Sequence, residues 1–69
     1  MRYLVVVEKG PTSYGAYVPE LPGCIAVGET REEVLASIHE AIELHLEGLK
    51  DDGQPIPAPR SSGELVDVA

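Results

Sequence analysis

Twelve carboxylates, two histidines and a single cysteine are the side chains of this 69-residue chain that could carry chemistry. A two-metal nuclease needs several carboxylates converging on a pair of divalent ions, typically starting with an acid in the first strand. The first β-rich run, Arg2-Tyr3-Leu4-Val5-Val6-Val7-Glu8, has no acid at its centre. Glu20, Glu29 and Glu32 fall at loop and helix ends, where carboxylates read as solvated surface. Cys24 has no histidine beside it in sequence and reads as a small buried hydrophobe at a strand start. His39 and His45 lack the i,i+4 spacing of a helical metal pair. His39 reads as solvated and His45 as a packing residue near the apolar stripe. No Cys/His set has zinc spacing. No catalytic, cofactor or metal residue is expected, and a small metal-dependent nuclease is the least favoured reading.

Tyr3, Tyr14 and Tyr17 are able to stack on bases, but no basic residues interleave with them. The net charge is −7, from 12 acidic and 5 basic residues, so direct nucleic-acid binding is not expected. The tyrosines read as core and interface packing. An acidic balance suits a basic protein partner. The run Leu4–Val7 is too short for the core of a signal peptide, and no stretch is long enough to span a membrane. With one unpaired cysteine, the expected location is the cytoplasm.

The elements that must position these residues are few. Strands are expected at about 2–9, 14–18 and 24–28, joined by tight links as an antiparallel meander. Between the second and third, Pro19-Glu20-Leu21-Pro22-Gly23 makes a rigid connection rather than a plain turn. A helix follows at about 31–50. Thr30 with Glu33 forms a capping-box signature, and Val34, Leu35, Ile38, Ala41, Ile42, Leu46 and Leu49 recur at helical spacing. Gly53 is placed to close it. A proline-rich loop over 53–63 then leads to a short strand at about 64–68. The chain is therefore one α+β domain of order βββαβ, a small sheet with one helix on one face. Leu4–Val7 is apolar without alternation, which implies cover on both faces. One helix covers one face only, so self-association is expected. A core this small, with no disulfide possible, points the same way.

Tyr17, then Pro19-Glu20-Leu21-Pro22-Gly23-Cys24, then Gly28-Glu29-Thr30, then Glu40-Ala41 on the helix and Ile56-Pro57-Ala58-Pro59 after it, resembles the HicB antitoxin family of toxin–antitoxin systems. The resemblance covers about residues 2–68. It implies a partial RNase H-like domain, homodimers or tetramers, and neutralisation of a small basic HicA-type ribonuclease toxin. Full-length members add a C-terminal DNA-binding domain, so this chain resembles a stand-alone N-terminal domain. The expected function is a non-catalytic antitoxin domain. The alternative is a stand-alone homo-oligomeric domain without a toxin. The expected partner-binding residues are Tyr17, Pro19, Glu20, Leu21, Pro22 and Gly23 of the connection, with Glu32, Glu40, Glu43 and Glu47 of the helix. The connection would supply preorganised shape and the helix would steer the encounter.

Overall fold

The computed structural model describes residues 1–69, arranged as β1 (Val6–Lys9), β2 (Tyr14–Tyr17), β3 (Ile25–Gly28) and α1 (Arg31–Asp51). The strands form one antiparallel sheet of order β1-β2-β3. Val7 pairs with Ala16, and Ala16 with Ala26, so these three residues share a row on the inner face. Val6, Tyr17 and Ile25 form the neighbouring row on the outer face. The α+β class, the three-strand meander and the single covering helix agree with the sequence.

β1 begins at Val6 rather than Arg2, which corrects the expected start. The register sets Val6 against Tyr17, so the next two rungs would be Val5 with Val18 and Leu4 with Pro19. The Val18 N–H is donated to the Cys24 carbonyl at 3.2 Å, and Pro19 has no N–H. The ladder therefore stops. Tyr3 and Val5 still pack against the core, without sheet partners.

α1 begins where Thr30 caps it. The Glu33 N–H donates to Thr30 Oγ1 at 3.1 Å. Glu33 Oε2 in return accepts from the N–H groups of Thr30 at 3.3 Å and Glu29 at 2.8 Å. Two orphan donors of the helix start, and the Glu29 N–H just before it, are thus satisfied. Its end is a Schellman motif: Gly53 N–H donates to Lys50 O at 3.1 Å and Gln54 N–H to Leu49 O at 2.9 Å. Val34 and Ile38 point into a core completed by Ala16, Val18, Leu21 and Cys24. β3 reaches α1 closely at Gly28, where an added Cβ would lie 2.8 Å from the Val34 nitrogen.

The helix lies over β3 and β2 and leaves the β1 flank open. Residues 54–69 contain no helix or strand, which corrects the strand expected at 64–68. A strand needs a partner edge, and none lies beside this segment. Leu65, Val66 and Val68 are 103%, 77% and 88% exposed.

Candidate functional site

The Pro19–Gly23 connection is built as two consecutive turns. Leu21 N–H donates to Val18 O at 3.1 Å, and Cys24 N–H to Leu21 O at 3.0 Å. Gly23 sits at φ +84, in the left-handed region where a glycine fits without Cβ strain. Leu21 is 1% exposed and plugs the core from within the connection. Its side chain is thus withdrawn from any partner surface, which corrects its expected role as a contact residue. Pro19, Pro22 and Gly23 are exposed, and Tyr17 lies on the outer sheet face.

Glu20 is engaged by the chain itself. Its Oε1 accepts from the backbone N–H groups of Arg60 and Ser61, both at 3.0 Å. Its Oε2 accepts from the Ser61 hydroxyl at 2.5 Å. The Ser61 hydroxyl, then the Ser61 and Arg60 amides, pull the Glu20 carboxyl below its ordinary pKa of 4.5. The carboxylate expected to meet a partner therefore holds the tail. No sequence signal paired Glu20 with Ser61, forty-one residues on. A second tie runs from the Tyr3 hydroxyl, which donates to the Pro57 carbonyl.

Glu32, Glu40, Glu43 and Glu47 are all exposed on α1. At about 100° per residue they fall within a sector of about 80°, a single ridge away from the core face. The one ion-pair contact among these groups is His39 Nδ1 to Glu43 Oε1 at 3.5 Å, on the solvent side. No lysine or arginine stands within ion-pair distance of the ridge. Tyr17 and the ridge face opposite sides of the molecule, with the connection at one end. The expected partner residues thus divide between two surfaces rather than forming one patch.

The outer sheet face is the second surface. Ile25 and Val27 are 68% and 75% exposed, beside Tyr17 and Val6. Cys24 is buried and unpaired, and desolvation raises its pKa, so the thiolate form that nucleophilic chemistry uses is disfavoured. His45 is half-buried and His39 exposed, as read from the sequence. No three of the acidic, histidine and cysteine side chains gather into a set that could hold a metal ion. No helix is long and apolar enough to cross a membrane. An open groove of about 500 Å³, which the sequence did not foretell, lies between residues 1–5 and the apolar side of α1.

Sheet, covering helix and exposed acidic ridge define a small acidic α+β domain. Residues 3–68 match the family described as the HicB-like antitoxin of bacterial toxin–antitoxin systems, and the chain belongs to that family. It is 39% identical over 69 residues to a UPF0150 protein of Thermoplasma acidophilum, covering 99% of this chain and 97% of that one. It is 34% identical over 64 residues to antitoxin HicB 2 of Photorhabdus laumondii, covering 93% of this chain and 46% of that protein. A protein of Haemophilus phage HP1 is 37% identical over 57 residues, with 83% of this chain and 43% of the phage protein covered. The chain thus spans less than half the length of those last two relatives. Among solved structures, a chain of a HicA3–HicB3 toxin–antitoxin complex superposes with a TM-score of 0.72 at 28% identity, covering 87% of this chain and 70% of that chain.

Proposed function

We propose that this chain is a non-catalytic antitoxin domain that binds and neutralises a small basic ribonuclease toxin of the HicA type in the cytoplasm. The observation that carries the reading is the α1 ridge: four carboxylates on one sector, none of them within ion-pair distance of a lysine or arginine, with Lys50 the single basic residue at its C-terminal end. Such a ridge presents a negative field to a basic partner and steers its approach. The likeness to a chain of a toxin–antitoxin complex supports the same reading. Inhibition is by steric cover, with no chemistry required of the antitoxin. The test is co-expression and co-purification with the product of the adjacent reading frame, followed by an RNA-cleavage assay of that product titrated with this chain. A stoichiometric complex and progressive loss of cleavage are expected. Absence of a complex at low salt would sink the reading.

Self-association belongs to the same proposal, as dimer or tetramer. Ile25 and Val27 stand exposed on the outer sheet face, and the open flank of β1 leaves further apolar surface. These features also favour the second reading, a stand-alone homo-oligomer without a toxin. The co-purification separates the two.

A further inference from the structure

We propose that two copies of this chain exchange their C-terminal segments, Glu64–Val68 of each pairing with the open edge of β1 in the other and filling the groove beside it. The inference concerns self-assembly and holds whether or not a toxin binds.

The apolar floor of the groove is Tyr3 and Val5 on one side and Leu35, Ile38, Ile42 and Leu46 on the other, with Arg2, His39 and Glu43 at its polar margin. It exists because α1 is shifted toward β3, so the helix's apolar stripe extends past the last strand. A further strand along β1 would lie directly beneath that overhang and continue the sheet. The β1 edge and residues 1–5 have backbone groups with no ladder partner on that side.

The same chain carries a segment of matching character. Glu64-Leu65-Val66-Asp67-Val68 is rich in β-branched residues and has no cover of its own. As a strand it would put Val66 and Val68 on one face and Leu65 and Asp67 on the other. Val66 and Val68 then enter the groove under α1, while Leu65 joins the apolar outer face beside Leu4 and Val6. The flank is of mixed charge, with Arg2 and Lys9 beside Glu8 and Glu43, so the apolar match of Val66 and Val68 to the groove rather than charge favours the pairing.

The segment's own groove is not where it leads. The Glu20 clamp on Arg60 and Ser61 fixes its point of departure. Gly63 then lies against Leu4, whose side chain points to the face opposite Tyr3 and Val5. From there the segment leaves the body, with Leu65 wholly exposed. Five residues of strand reach about 17 Å, enough to enter a neighbour docked edge to edge. Exchange between two copies closes on itself, since each supplies one strand and one groove.

The experiment is analytical ultracentrifugation of the full chain and two variants. Val66→Pro removes a ladder donor at a site exposed in the single chain, and Leu35→Glu puts a charge on the groove wall at a position 38% exposed. Circular dichroism checks that both keep the fold. The wild-type chain is expected to be dimeric at micromolar concentration, and each variant to dissociate about tenfold or more weaker. Mixing the variants is the decisive arm. The intact tail of L35E fits the intact groove of V66P, so the mixture is expected to recover dimers that neither forms alone. A monomeric wild type would overturn the exchange. So would a dimer that V66P leaves unchanged, in which case the pairing uses another surface, or a mixture no more dimeric than its parts.

Discussion

Glu20 shows how one side chain is diverted from the surface to the architecture. In sequence it is an exposed acid between two prolines, available for a partner. In the fold it is the acceptor that pins the tail, through Arg60 and Ser61. Its pKa is lowered in the folded chain, so the clamp favours the ionised carboxylate. By linkage this stabilisation is complete above the ordinary value of 4.5 and is lost as the pH falls through the depressed folded value. The protection factors of the Arg60 and Ser61 amides, measured by NMR against the intrinsic rate at each pH, are expected to fall over that acid window while the α1 amides stay protected. Glu20→Gln is expected to give fast exchange at those two amides at neutral pH, with little change in midpoint of thermal unfolding. A protection factor at Ser61 that does not change with pH would show that the clamp does not hold the tail. Leu21, its neighbour, was equally hidden from the sequence: a leucine in a proline-bounded loop reads as exposed, yet it is among the most buried residues.

At the scale of elements, the local signals were legible and the nonlocal ones were not. Thr30, Glu33 and Gly53 fixed both ends of α1 because capping is a matter of three or four neighbouring residues. The start of β1 and the absent fourth strand depended instead on what lies opposite. Residues 2–5 and 64–68 have strand composition, but Pro19 ends the first ladder and nothing faces the second. Composition sets the capacity to pair; the register decides whether pairing occurs. The groove was illegible for the same reason, since it arises from the sideways shift of α1 over the sheet. Two substitutions test the junction between β3 and α1. Thr30→Ala is expected to cost about 0.5–2 kcal/mol in urea unfolding by removing the cap, with Thr30→Ser close to wild type. Gly28→Ala is expected to cost about 1–3 kcal/mol, because the new methyl meets the backbone of Val34 rather than a side chain able to swing away.

At the scale of the whole molecule, charge and apolar surface are largely kept apart. Glu32, Glu40 and Glu47 stand on the ridge of α1, Glu43 reaches from that ridge to the groove, and the exposed aliphatic side chains of the sheet and groove lie on the outer sheet face and along the β1 flank. Under the proposed function and the proposed exchange, a copy of this chain would meet another over the β1 flank and a basic partner would meet the ridge. Under that division, removing charge from the ridge should alter capture of the basic partner and leave self-assembly intact. Glu32→Gln, Glu40→Gln and Glu47→Gln, the ridge acids that do not line the groove, together change the net charge from −7 to −7 + 3 = −4. Stopped-flow association with the basic toxin that the proposed function requires is expected to slow about tenfold at low salt and to lose most of its salt dependence, while the dissociation rate changes little. The sedimentation behaviour of the triple variant alone should match the wild type. An unchanged association rate would place the toxin on the sheet side of the molecule. A changed sedimentation profile would mean that the ridge contributes to contacts between copies, and the two faces would then not be independent.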